Sequence, residues 1–284
     1  MNRKAESQSV ALQPAFSISE RLKPGGLRRT ILHNLARTPH FYKAILQILG
    51  LGTIEKRLFL QLVRRGYTVF DVGANIGFFT TLFSDLVGPH GSVHAFEPVP
   101  PTFATLTNAI RHNGRYRNVF ANALACSDST GAAEITVPGG DIEQASLRNH
   151  ADGSWAGATD LKTYHVPTIR LDDYISERAI SRLDFIKCDA EGAELLVLKG
   201  ATGLLRQLEP ILFLEVSESW TRDFGYCPDD IADFLEDAGY TSFYIDDEKV
   251  QTGQLRKDLG QKAKVRSVNV LCAGPRRERE LSGI

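Results

Sequence analysis

The segment VFDVGANIGFFT, residues 69–80, ends an apolar run at Asp71 and then breaks into Gly73, Ala74, Asn75, Ile76 and Gly77. A strand, a glycine turn and a helix in that order aim backbone N–H groups at a ligand and let it approach the main chain closely. A dinucleotide site would want G-x-G-x-x-G, but Asn stands at position 75, so the glycine that admits a pyrophosphate is missing. Asp71 would repel a pyrophosphate while suiting a ligand with a positive end, and no Lys or Arg lies between Asp71 and Asp85. Glu97 closes AFEP twenty residues after Gly77, where such folds place a carboxylate that accepts both hydroxyls of an unphosphorylated ribose. The expected ligand therefore carries a ribose and a cation. Of the common cofactors, S-adenosyl-L-methionine, with its adenosine, sulfonium and amino acid, matches best. Taken singly, Asp71 could be a turn or capping aspartate and Glu97 a surface acid at a strand end; their spacing argues against coincidence.

These residues need a sheet to hold them. YTVFDV (67–72), SVHAFE (92–97), VFANALAC (119–126), LDFIKCD (183–189) and ILFLEV (211–216) read as strands. Helices are expected from Phe78 to Leu86, Pro101 to His112, Ala193 to Leu205 and Pro228 to Ala238. Strands alternating with helical crossovers imply a parallel α/β sheet with helices on both faces. TSFYI (241–245) and VRSVNVLCA (265–273) show no helical pattern between them and predict an antiparallel hairpin at one edge. Residues 127–170 are irregular, with AEITV and VPTIR as short strand candidates. Emerging near the carboxyl edge of the sheet, this stretch is expected to form a substrate lid, with Ser146, Asn149, Trp155 and His165 as contact residues.

The chain has 284 residues, 43% of them hydrophobic, and a net charge of −1. That suffices for one large domain. Its apolar runs fall short of a membrane span, and MNRKAESQSV is polar where a secretory leader would be apolar, so a cytoplasmic location is expected. Cys126, Cys188, Cys227 and Cys272 are widely spaced, and neither they nor the seven histidines form a metal-binding spacing; reduced thiols and no metal are expected. Residues 1–65 carry twelve Lys and Arg against three Glu. A helical collar with solvated charges accounts for them more simply than a patch for anionic membrane or nucleic acid. The domains expected are a basic tail and collar over 1–60, a cofactor-binding domain over 61–275 and a tail over 276–284.

DVGANIGFFT, AFEP, NALACSD followed by Gly131, RLDDYI, DFIKCDAEGAELLVLKGA and ILFLEV together resemble the FkbM family of S-adenosylmethionine-dependent methyltransferases, over residues 60–272. The resemblance implies a Rossmann-like seven-stranded sheet with its last strand antiparallel, and methylation of hydroxyl oxygens, often on sugars or secondary metabolites. Cys188 and Ala190 depart from the family's commoner aliphatic residues. The resemblance places Asp71, Gly73, Asn75 and Gly77 around the methionine half of the cofactor and Glu97 on its ribose, with Pro98 shaping the turn. Leu124 and Ala125, or Ser127 and Asp128, would lie beside the adenine. Asp189 would face the cleft, where it could bind the amino group, sit near the sulfonium or take a proton. Glu191 reads as an acid favoured by a helix N-terminus, Glu194 as a solvated or salt-bridged one.

Methyl transfer needs the acceptor oxygen held in line with methyl and sulfur, and a base within hydrogen-bond reach. The candidates for that base are Asp189 first, then Glu215, also a substrate-positioning acid, and His165. Trp220 and Tyr226 could line the acceptor pocket or serve packing. The expected partner is a small-molecule or glycan hydroxyl acceptor. A nicotinamide-dependent oxidoreductase is the main alternative, disfavoured by Asp71 and Asn75. An RNA-directed methyltransferase is the other, for which no basic aromatic face near the cleft and no N-P-P-[YF] motif is found.

Overall fold

The computed structural model describes residues 54–111, 114–138, 145–147, 161–246, 248–251 and 253–281. The basic tail and most of the expected collar, and the lid candidates Asn149 and Trp155, lie outside the described residues.

The chain enters through α1 (Ile54–Leu62), whose Leu58, Phe59 and Leu62 form one buried face. It continues as β1 (Thr68–Val72), α2 (Phe78–Val87), β2 (Ser92–Phe96), α3 (Pro100–Arg111) and β3 (Val119–Asn122). Two short elements and a ribbon follow: β4 (Ala125–Cys126), β5 (Gly131–Pro138) and β6 (Leu161–Ile169). Then come α4 (Leu171–Glu177), β7 (Phe185–Cys188), α5 (Glu194–Gly200), α6 (Thr202–Leu208), β8 (Ile211–Val216), α7 (Glu218–Thr221) and α8 (Pro228–Asp237). The chain closes with β9 (Ser242–Ile245), β10 (Glu248–Val250), α9 (Leu255–Ala263), β11 (Val268–Ala273) and α10 (Glu278–Leu281).

One sheet runs β3-β2-β1-β7-β8-β11-β9-β10, parallel from β3 through β8, with β11 antiparallel to both neighbours. This is the seven-stranded α/β sheet with a reversed strand that the resemblance implies, extended by the short β10. Val69, Phe70 and Val72 are buried, as a strand covered on both faces must be. One apolar cluster lies on the side of α4, α5, α6, α8 and α9; another gathers α1 and α2 against the opposite face. The strand order reverses at β1, between β2 and β7, which opens a crevice at the carboxyl ends of those three strands.

Three expectations need correction. The expected strand 119–126 is two: the chain leaves the main sheet after Asn122, and Ala125–Cys126 pairs instead with β6 in a small sheet of order β4-β6-β5. The helix expected over 193–205 breaks at Ala201. There the Asp172 carboxylate of α4 accepts from the amides of Gly203 and Leu204 at 3.0 and 2.8 Å and starts α6 afresh. The strands β9 and β11 are antiparallel partners but not a hairpin, since β10 and α9 lie between them. The helical pattern is faint because Leu255, Leu259 and Ala263 are the only buried apolar side chains, with Gly260 beside them, in a charged helix. Packing also extends to residues on either side of 61–275. Residues Ile54–Leu62 are part of the core. At the other end Leu281 is buried, Arg277 pairs with Asp184 at 2.7 Å, and Tyr67 Oη donates to Glu280 at 2.5 Å.

Phe59 shows how α1 is held. Its ring lies 5.1, 4.9, 5.6 and 4.8 Å from those of Phe79, Phe83, Phe185 and Phe213, three of them edge-on. Phe59→Ala is expected to cost about 3–5 kcal/mol in urea unfolding; a loss below about 1 kcal/mol would show α1 to be only loosely attached.

Candidate active site

The turn after β1 is built by two backbones that nearly touch. Gly73 has φ +70°, and a Cβ there would lie 1.8 Å from the carbonyl oxygen of Asp189. Only glycine therefore lets the ends of β1 and β7 meet. Both Gly73 and Ala74 donate to Phe96 O, and Asn75, at φ +49°, donates its N–H to Glu97 Oε2 at 2.9 Å. The other oxygen of Glu97 accepts from Val99 N, also at 2.9 Å. Glu97 is thus fixed at the end of β2, and burial outweighs these hydrogen bonds enough to push its carboxyl up to about 7. A cavity of about 380 Å³ opens between the turn, Glu97 and the segment after β7. Its walls include Gly73, Asn75, Glu97, Pro98, Leu124, Ala125, Cys126, Asp189 and Glu191.

At the back of the cavity stands Lys187, a buried cation in the middle of β7. Its Nζ donates to Gly73 O at 3.1 Å and to Asp189 Oδ2 at 3.0 Å, and lies 4.0 Å from Asp71 Oδ1. The two carboxylates overcome the cost of burial and hold the ammonium firmly protonated. Asp71 is wholly buried: Thr80 Oγ1 donates to its Oδ2 at 2.6 Å, while Oδ1 has no hydrogen bond among the described residues. Burial pushes its carboxyl up to about 6 despite Lys187. Sequence reasoning missed Lys187. The available signal was a lysine set inside FIKC, a strand buried at every position.

The segment after β7 is an acidic turn. Glu191 adopts φ +48° and Gly192 φ +95°, so Glu191 precedes the helix, which begins at Glu194, and is no helix N-terminal acid. Glu194 is neither solvated nor salt-bridged. It is buried, and its Oε1 accepts from Ala190 N at 2.9 Å and Gly192 N at 3.2 Å, closing the turn. Ser146 Oγ donates to Glu191 O at 2.9 Å, Tyr226 Oη donates to Gly192 O, and the Trp220 carbonyl abuts the Gly192 Cα. Burial, then repulsion from Asp189, Glu194 and Glu215, pushes the Glu191 carboxyl up to about 9.

The expected site residues divide accordingly. Gly73, Asn75, Glu97, Pro98 and Asp189 come together on the cavity wall. Asp71 stands behind Lys187 rather than on the wall. Gly77 is not on the cavity wall; it has φ +90° and faces α3, where a Cβ would lie 2.5 Å from Leu106 Cδ1. Of the two pairs weighed for the adenine, Leu124 and Ala125 line the cavity; Asp128 is exposed and outside it. Glu215 is exposed on β8, opposite Asn269, and outside the wall. His165 is exposed on β6 beside Glu134, 3.6 Å away, also outside it. From the lid segment, Ala145 and Leu147 reach the cavity and Ser146 clamps the acidic turn. Tyr226 and Trp220 buttress that turn and do not line the cavity. Among the described residues no cluster fit for a metal and no helix long and apolar enough to cross a membrane occurs.

A parallel sheet that reverses at β1, a glycine turn and a carboxylate closing β2 make up the nucleoside-binding site of an α/β transferase. The chain belongs to the FkbM family of S-adenosylmethionine-dependent methyltransferases: the family's methyltransferase FkbM domain matches residues 71–242, more than half of its length. This sets aside the oxidoreductase alternative. Among curated proteins it is similar to the 31-O-demethyl-FK506 methyltransferase FkbM of Streptomyces tacrolimicus, 35% identical over 161 residues, which are 49% of this chain and 60% of that protein. It is also similar to the hexuronic acid methyltransferase AglP of Haloferax volcanii, 29% identical over 183 residues, 64% of this chain and 66% of that one. The chain thus spans about 60% of the first relative's length. A solved methyltransferase FkbM from Methylobacillus flagellatus aligns with 87% of this chain and 59% of its own at 16% identity and a TM-score of 0.45.

Removing the cation tests the arrangement. Lys187→Met leaves Asp71 buried and uncompensated, an expected loss of about 3–5 kcal/mol. Asp71 has a folded pKa above its ordinary value, so its contribution to stability is greatest below that ordinary value and declines as pH rises toward about 6. Without Lys187 the decline extends further, and denaturant titrations should show a larger loss at pH 8 than at pH 5. An equal loss at both would mean that Asp71 does not carry the charge.

Proposed function

We propose that the protein transfers a methyl group from S-adenosylmethionine to a hydroxyl oxygen of a small metabolite or a sugar. The observation that carries this reading is one cavity bounded by Glu97 and apolar residues at one side and by Asp189 and Glu191 at the other. The residues present suit such a cofactor. Gly73 offers bare backbone, Glu97 keeps unused lone pairs for a ribose diol, and Leu124, Ala125 and Ile135 give an adenine an apolar wall. Asp189 has one oxygen engaged with Lys187 and the other, without a hydrogen bond among the described residues, open to an ammonium. Lys187 and Asp71 act one layer back, by fixing Asp189 and the Gly73 carbonyl.

When bound, the cofactor supplies an electrophilic methyl on a sulfonium. The chain's own work is to hold the acceptor oxygen in line with that methyl, exclude water and receive the hydroxyl proton. No free cation lines the cavity among the described residues, since Lys187 is committed to carboxylates. That favours a neutral hydroxyl over an anionic acceptor. The relatives' names add support, one for a hydroxyl oxygen, since it refers to a 31-O-demethyl compound, and the other for a sugar as acceptor, since it refers to a hexuronic acid.

Two measurements test the proposal. In titration calorimetry with S-adenosylhomocysteine, Glu97→Ala should weaken binding at least about tenfold, and wild-type affinity should fall as pH drops below about 7, because a protonated carboxyl is a weaker acceptor and cannot serve both hydroxyls of a diol as a carboxylate does. Unchanged affinity in the variant would remove Glu97 from the site. Hydroxylated acceptors incubated with S-adenosylmethionine should gain one methyl in mass; methylation only of amines or carboxylates would refute the hydroxyl assignment.

A further inference from the structure

We propose that Glu191 is the general base that takes the proton of the acceptor hydroxyl, leaving Asp189 to hold the cofactor. The inference rests on the hydroxyl-methylation reading given above. Three carboxylates line the cavity: Glu97, Asp189 and Glu191. Each oxygen of Glu97 already receives a backbone N–H, and Asp189 is ion-paired to Lys187. The Glu191 carboxyl is hydrogen-bonded or ion-paired by no described residue, so of the three it is the least committed and the best placed to take a substrate proton.

Its backbone points the same way. A glutamate at φ +48° is in a region that L residues avoid, and glycine would sit there more easily. The turn is nevertheless over-determined: Ser146 holds the Glu191 carbonyl, Tyr226 holds that of Gly192, and Glu194 bridges the amides of Ala190 and Gly192. Strain kept in place by so many contacts marks a side chain whose position matters. The clamp from Ser146 also ties the base to the segment whose Ala145 and Leu147 enclose the cavity.

The step balances simply. A lone pair of the acceptor oxygen forms the new O–C bond, the C–S bonding pair remains on sulfur, and the hydroxyl proton passes to the Glu191 carboxylate, which later returns it to water. A base must first be ionised. The charged groups facing Glu191 are Asp189 and Glu194 in its own segment, Lys187 on β7 and Glu215 on β8, with Glu97 across the cavity. Acids outnumber the one cation, so the empty site favours a protonated Glu191. A ligand of net positive charge draws that proton off, whereas S-adenosylhomocysteine, which lacks the sulfonium, does so less.

The test uses Glu191→Gln, which preserves shape, and Glu191→Gly, which suits the backbone and guards against misfolding. Both should bind S-adenosylhomocysteine within about threefold of wild type. Glu191→Gly should also match or exceed the wild-type Tm. With a hydroxyl acceptor, kcat should fall about a hundredfold or more while KM for S-adenosylmethionine changes little. The rise with pH, up to about 9, of kcat/KM for S-adenosylmethionine, which reports the free enzyme, should vanish. Calorimetry of S-adenosylmethionine binding at pH 8, in buffers of different ionisation enthalpy, should show proton release in wild type and less in both variants. Retained kcat, or affinity lost in step with kcat, would overturn the proposal. The calorimetric arm needs no acceptor: proton release unchanged in the variants refutes Glu191 as the titrating group, while release as expected with no hydroxyl methylated refutes the hydroxyl reading instead.

Discussion

The ammonium of Lys187 is the constraint on which the site depends. It reaches from β7 to the carbonyl of Gly73 in the turn after the neighbouring strand, pairs with Asp189 and neutralises Asp71 behind it. Three elements that must agree to within a fraction of an ångström are thereby fixed by one buried charge. An ammonium so placed is costly to desolvate, and the two carboxylates repay that cost only in this geometry. The same geometry leaves no room beside Gly73 for a side chain. Turn, cation and acid are therefore a single unit rather than three separate features.

Around this unit the acids take different roles from their surroundings. Asp71 is sealed off and structural in position; Glu97 is tied by two amides; Asp189 is shared between a lysine and the cavity. Glu194 spends its carboxylate on closing a turn, and the carboxyl of Glu191, within that same turn, is hydrogen-bonded by no described residue. Residue type alone could not separate them. What differs is the number of donors each carboxylate meets once the chain is folded.

Much of this was legible in the sequence. The alternation of strands and helices, the glycine turn and the acid closing AFEP all follow from local patterns, and the structure brings Gly73, Asn75, Glu97 and Asp189 to one cavity. The rest turned on long-range geometry. Gly77 carries the mark of a ligand-binding glycine but makes way for Leu106, a contact 29 positions further along the chain. His165 has the right chemistry and the wrong face of a ribbon. Lys187 was hidden because a buried lysine is legible only when its partners on other strands are known. The helix α9 was hidden because a single stripe of three small or aliphatic residues barely rises above a polar background.

The most direct test is a crystal structure of the protein with S-adenosylhomocysteine. The account predicts the ribose hydroxyls on Glu97, the amino-acid end against Gly73 and Asp189, and Lys187 still bonded to Gly73 O and Asp189. A ligand bound elsewhere, or a Lys187 side chain expelled from between the strands, would contradict it.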